Sequence, residues 1–198
     1  MPEENEKTLI DKCRKGDIHA FEELISSYEK KIFNIVYRIV GDYNDAEDIS
    51  QEIFIKVFRS INNFKERSSF YTWLYRIAVN ECMDILKKKK KTAAYSIDTP
   101  IQTEDDQIPR EIKDYGESPE EKVERKELRN YIESALNSVT YEHRTMIVLR
   151  DIQGLSYEEI AEIVKCPAGT VKSRINRARK ALKELLSDKK ELFLDYSV

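Results

Sequence analysis

The sequence predicts an all-α protein built as two small helical domains joined by a flexible acidic linker. Three observations carry this. Gly and Pro number only five each in 198 residues while charged residues reach 36%, the balance expected of amphipathic helices with solvated faces. Apolar residues recur at helical spacing through two long stretches, within 1–91 and 118–187. Between them, residues 92–117 lose that period and gain Pro100, Pro109, Gly116 and a run of acids, the composition of a self-repelling linker. Residues 188–198 form a tail without a clear pattern.

In the first stretch, residues 8–15 read as a short helix stopped by Gly16. Asp17 caps a longer helix that runs to Gly41, with Phe21, Leu24, Ile25, Tyr28, Ile32, Ile35 and Ile39 on one face. A third helix starts near Asn44 and buries Ala46, Ile49, Ile53, Val57 and Ile61. It turns Asp45, Asp48, Gln51, Glu52 and Arg59 away from the core, and its acidic first turn suits the helix dipole. After the loop 62–68, Ser69 caps a fourth helix with Phe70, Leu74, Ile77, Ala78, Glu81 and Ile85 on its core side. Glu81 is out of place there. Trp73, Arg76, Asn80, Asp84 and Lys87 form a neighbouring stripe that leads into the lysines.

The second stretch restarts at Ser118, Pro119 and Glu121, a capping box with proline at the first helical position. Leu128, Tyr131, Ile132, Ala135, Leu136 and Val139 follow at helical spacing. Three more helices are expected: 140–150, 156–164 with a Ser156/Glu159 capping box, and roughly 168–186 with Val171, Ile175, Ala178, Leu182 and Leu185 buried. Gly154 and the turn Lys165-Cys166-Pro167 separate them.

The net charge of −3 conceals an uneven distribution. Lys87 to Lys91 form one basic patch, and Lys172, Arg174, Arg177, Arg179, Lys180 and Lys183 form another, with the acidic linker between them. Cys13, Cys82 and Cys166 are odd in number and far apart, so neither a disulfide framework nor a zinc site is indicated, and a reducing cytosol fits. No stretch has the apolar length of a signal peptide or membrane span, and no cofactor or metal site is expected.

Residues 156–164, a tight turn and residues 169–179 read as a helix-turn-helix. Ile160, Ala161 and Val164 can pack on Val171 and Ile175, which leaves Thr170, Ser173, Arg174 and Arg177 free for base edges and phosphates. A helical hairpin with a solvated basic face has the same pattern, and the lysine run alone would be a solvated helix end. The conjunction favours binding: an aromatic ring, an amide and cations on one stripe are what single-stranded nucleic acid requires. The acidic stripe of the third helix is either solvated or a docking surface.

The strings Asp45-Ala-Glu-Asp-Ile-Ser-Gln-Glu-Ile-Phe54, Phe70-Tyr-Thr-Trp-Leu-Tyr-Arg-Ile-Ala-Val-Asn80 and Pro167-Ala-Gly-Thr-Val-Lys-Ser-Arg-Ile-Asn-Arg-Ala-Arg179 resemble the extracytoplasmic function (ECF) sigma factors, a compact branch of the sigma-70 family. Three motifs in the family's order, spanning most of the chain, are more specific than one helix-turn-helix. The resemblance implies region 2 within 1–91 and region 4 within 118–187, and a protein that recruits core RNA polymerase to a promoter. It implies that Asp45, Asp48, Gln51, Glu52 and Arg59 dock on the clamp helices of the large polymerase subunit. It further implies that Phe64, Lys65, Ser68, Tyr71, Trp73, Arg76, Asn80 and Lys87 capture the melted minus-ten element. Gly169, Thr170, Lys172, Ser173, Arg174 and Arg177 are implied to hold the minus-thirty-five duplex. An anti-sigma factor, often membrane-anchored, is implied as inhibitor, which would hold this cytoplasmic chain at the inner face of the membrane. One departure stands out: the stretch Phe64-Lys-Glu-Arg-Ser-Ser69 is highly charged where the family often has small residues.

Two other classes are weighed against this. A helix-turn-helix repressor or activator with an N-terminal ligand-binding or dimerisation domain explains only half the chain. A carboxylate-metal nuclease finds no support, because His19 and His143 lie in unrelated helices and the carboxylates sit on periodic solvent faces.

Overall fold

The computed structural model describes residues 2–95 and 119–187, and all regular structure among them is helical. The front half comprises α1 (Pro2–Arg14), α2 (Ile18–Ser26), α3 (Glu29–Val40), α4 (Tyr43–Ser60), a 3₁₀ turn (Ile61–Asn63) and α5 (Phe70–Tyr95). The rear half comprises α6 (Pro119–Ser138), α7 (Tyr141–Ile147), a π turn (Val148–Ile152), α8 (Tyr157–Val164) and α9 (Ala168–Leu186). The linker, the Ser118 cap and the tail after Ser187 lie outside the described residues.

The single helix expected from Asp17 to Gly41 is two. Asp17 does cap the start, accepting from the Ala20 amide at 3.0 Å. The chain then turns at Ser27 and Tyr28, because the hydroxyls of Ser26 and Ser27 donate back to the carbonyls of Glu23 and Leu24. Apolar period alone could not reveal this break, since Leu24, Ile25, Tyr28 and Ile32 are buried on both sides of it. The turn seats Tyr28 against Phe70, with ring centroids 5.5 Å apart.

α4 begins one residue before the expected start, with Asp42 as its cap, accepting from the Asp45 amide at 2.8 Å. Its core residues are the expected ones, Ala46, Ile49, Ile53 and Val57, and Ile61 continues the buried line into the 3₁₀ turn. Ser69 caps α5 through the Thr72 amide at 3.1 Å. Glu81 on the inner side of α5 is explained by Lys56 of α4, whose ammonium donates to its carboxylate.

In the rear half, Thr140 accepts from the His143 amide at 3.4 Å, and the helix loosens into a π turn at Val148, where the Gln153 amide donates to the Val148 carbonyl. The Ser156/Glu159 capping box is complete in both directions. Ile163 fills the inner position toward α9 that the sequence assigns to Val164; Val164 itself is only half-buried. The two halves share one continuous apolar core, in which Val148, Leu149, Ile160 and Ile163 join Tyr75, Val79 and Cys82.

Candidate nucleic-acid interface

Three surfaces carry the residues singled out by the sequence. The first is the outer stripe of α4. Asp48, Gln51, Glu52, Ile55, Phe58 and Arg59 recur every three or four residues and are all exposed. Ile55 and Phe58 are large apolar side chains at 44% and 38% exposure, and Phe58 meets Phe21 of α2 edge-on at 5.0 Å. The expected acidic stripe is therefore an apolar strip edged by charges. Asp45 departs from it: the carboxylate is half-buried and paired with Lys89 of α5, so it faces α5 instead of projecting with Asp48.

The second surface is the loop 62–69 with α5. Here the structure corrects the expected stripe. Trp73 and Phe64 are 6% and 4% exposed, and with Phe70 they form an aromatic cluster with centroids 5.3 to 5.7 Å apart. Trp73 is not an open stacking face, because it is buried against Phe64 and Phe70. Lys65, Asn80 and Lys87 are exposed, while Ser68, Tyr71 and Arg76 are half-buried. Tyr71 packs on Tyr75 with tilted rings, centroids 4.0 Å apart, and burial pushes its hydroxyl pKa above the usual tyrosine value.

A residue missed by sequence reasoning shapes this loop. Arg14, at the end of α1, donates to the Phe64 carbonyl at 2.6 Å and to Glu66 at 2.9 Å. Glu66 adopts a left-handed φ of 54°, which a non-glycine residue holds only under outside constraint. In sequence, Arg14 is only one residue of the short helix 8–15, and nothing local marks its reach across fifty residues.

The third surface is α9. Val171, Ile175 and Ala178 are buried, while Gly169, Lys172, Ser173, Arg174 and Arg177 are exposed and Thr170 is half-buried. The Ser173 hydroxyl donates to the Thr170 carbonyl at 2.9 Å, leaving its oxygen lone pairs outward. Lys172, Arg174 and Arg177 form no ion pair among the described residues, so a cluster of positive charge is uncompensated beside a helix N-terminus. Arg179 differs: it forks onto Asp151, with Nε at 3.1 Å, and ties α9 to the π turn.

The charged and aromatic groups thus lie on three surfaces of a helical protein, one an apolar strip edged by charges and two that carry exposed basic residues. The amino-acid sequence matches sigma-70 region 2 over residues 24–92 and sigma-70 region 4 over residues 129–182. It is 38% identical to the RNA polymerase sigma-H factor of Pseudomonas aeruginosa, covering 94% of this chain and 96% of that one. It is 40% identical to the ECF RNA polymerase sigma factor SigW of Bacillus subtilis, covering 92% and 97%. Its structure resembles that of the sigma factor RpoE of Bartonella quintana, solved in complex with the anti-sigma factor NepR, with a TM-score of 0.65 and 25% identity over 85% of this chain and 98% of the other.

The chain belongs to the sigma-70 family, in its ECF branch. It is a sigma factor, which binds RNA polymerase and directs it to promoters, and it is not an enzyme. The match runs through both halves, which a repressor with an unrelated N-terminal domain does not account for. Among the described residues no helix is long and apolar enough to cross a membrane.

Proposed function

We propose that the three surfaces divide the work of initiation, with region 2 in residues 1–91 and region 4 in residues 118–187. The outer stripe of α4 docks on the clamp helices of the large polymerase subunit. Asp48, Gln51, Glu52 and Arg59 set the polar rim and Ile55 and Phe58 the apolar centre, the anatomy of a protein interface. Asp45 contributes by fixing α4 to α5 through Lys89. The observation that carries this reading is the exposure of Ile55 and Phe58 on a helix whose other side is fully buried, because scattered charge alone needs no partner and an apolar strip does.

Lys65, Ser68, Tyr71, Arg76, Asn80 and Lys87 capture the minus-ten strand, and Phe64 and Trp73 support the loop from below. Unstacking costs a few kcal/mol per extruded base, and stacking worth about 1–3 kcal/mol per base plus phosphate attraction offsets it. No bond is broken, so no nucleophile or metal is required. Gly169, Thr170, Lys172, Ser173, Arg174 and Arg177 hold the minus-thirty-five duplex, with the α9 amides and arginines on phosphate and the side chains near its N-terminus on base edges.

The partner of the RpoE structure suggests an anti-sigma factor for this chain as well. A membrane-anchored one would retain a cytoplasmic protein at the inner face of the membrane until a signal releases it. The test of the recruitment face is binding of purified core polymerase. Charge reversal at Asp48 and Glu52 is expected to abolish it while leaving the helical content unchanged, and undiminished binding would remove α4 from the interface.

A further inference from the structure

α1 precedes residues 24–92, the stretch that matches sigma-70 region 2, yet it is fastened to the front half at both ends. Leu9, Ile10 and Cys13 are buried, and α1 packs on α2 and on the 3₁₀ turn. Near its start, the Glu6 carboxylate accepts from the hydroxyl of Tyr28, whose ring meets Phe70. At its end, Arg14 reaches the loop 62–69. Asp11, one helical turn earlier, accepts at 3.0 Å from the same Nη1 that donates to Glu66 at 2.9 Å, which aims the guanidinium at the loop. Nη2 is left to the Phe64 carbonyl.

The loop is anchored at its two ends and turned between them. At the entry, the Phe64 amide donates to the Ile61 carbonyl at 3.1 Å, its ring is buried, and its carbonyl takes Arg14. At the exit, Ser69 caps α5. Between these anchors Lys65, Glu66 and Arg67 are exposed, and Glu66 holds its φ of 54°. A left-handed residue redirects the chain, and side chains other than Asn and Asp resist that conformation. The charge-assisted bond from Arg14 offsets the resistance. Lys65 and Arg67 on either side form no ion pair among the described residues, so the turn is tied to the helices through Glu66.

We propose that Arg14 is a positioning residue for base selection: by holding Glu66 in its left-handed turn, it sets the shape that the loop presents to an extruded base, without touching DNA itself. The inference rests on the assignment of this loop to the melted strand made above. Phosphate attraction comes from Lys65, Arg76 and Lys87, which Arg14 does not contact, so capture of a strand and choice of its bases are separable. Loss of Arg14 lets residue 66 relax toward right-handed or extended backbone, and the pocket then accepts several bases alike.

The test uses holoenzyme reconstituted from the full chain and core polymerase, offered premelted templates randomised across the minus-ten region, with the captured strands sequenced. Wild type should enrich one base by about fivefold or more at a position read by the loop, the least expected of a good base contact. Arg14→Ala should bring that enrichment below about twofold, leave the other positions unchanged and capture the whole pool nearly as well as wild type. Glu66→Ala, at an exposed site that does not endanger folding, should lose the same preference. Adding Glu66→Asn to Arg14→Ala should restore much of it, because Asn adopts the left-handed turn unaided. An unchanged preference in Arg14→Ala and Glu66→Ala would overturn the proposal, as would a uniform loss of capture. So would failure of Glu66→Asn to restore any preference, because Arg14 would then act by another route. A wild type that enriches no base at any position would instead remove the strand-capture reading, and the proposal with it.

Discussion

Trp73 lies 5.3 Å from Phe64, centroid to centroid, and both rings are buried in the core. Because Trp73 is the one tryptophan of the chain, its environment reports on Phe64 and the loop proposed to meet the melted strand.

Trp73→Ala should cost about 3–5 kcal/mol, the usual range for removing a buried aromatic side chain, and lower the urea midpoint followed by circular dichroism. Tyr71→Ala, at a half-buried site, should cost roughly 1 kcal/mol and weaken single-strand binding instead. Normal stability in Trp73→Ala with lost strand binding would mean that the indole itself stacks on a base.

Arg14→Ala should release the loop. The lost charge-assisted bond to the Phe64 carbonyl is partly exposed, so its removal should cost on the order of 1 kcal/mol. Amide hydrogen exchange at residues 64–67 should rise about fivefold while that of α5 stays constant. Equal acceleration throughout the front half would make Arg14 a general stabiliser.

On α9, Arg174→Ala and Arg177→Ala should weaken duplex binding and each reduce the salt slope of log affinity by about 1. Arg179→Ala should leave that slope near wild type, because the guanidinium is held by Asp151. Titration with promoter duplex at several salt concentrations distinguishes the two behaviours, and equal slopes in all three variants would contradict the assignment.

The capping box makes stability pH-dependent. The Ser156 amide, followed by the Ser156 hydroxyl, holds the Glu159 carboxyl below its ordinary pKa. A carboxylate depressed in the folded state stabilises above its unfolded pKa, and that contribution is lost as pH falls through the folded value. Glu159→Gln should therefore lower stability at neutral pH by up to about 1 kcal/mol and flatten the acid limb of the denaturation curve. An unchanged acid limb would show that the box carries no linkage.

Much of this was legible from residues alone, for local reasons. The Ser156/Glu159 box, the Asp17 and Ser69 caps and the start of α6 at Pro119 are encoded within a few positions, and the structure bears each out. The buried line Ala46, Ile49, Ile53 and Val57 follows from helical period. What was hidden depends on contacts distant in sequence. Trp73 could be placed on a stripe but its burial could not be read, since only folding brings Phe64 against it. Tyr75 and Val79 escaped notice because one apolar face had already been assigned to α5. Arg144 has no local signal to single it out, and two of its acceptors, the carbonyls of Ile39 and Val40, lie more than a hundred residues away. The break between α2 and α3 is set by serine back-bonding that apolar spacing cannot register.

The division of labour is tested most directly by transcription from a promoter selected from genomic DNA by the reconstituted holoenzyme, supplied either as duplex or with the minus-ten region already unpaired by mismatches. Variants Tyr71→Ala and Asn80→Ala should initiate poorly on the duplex and recover substantially on the premelted template, whereas Arg174→Ala and Arg177→Ala should remain impaired on both. Equal recovery in all four variants, or none in any, would contradict the assignment of strand capture to α5 and duplex grip to α9.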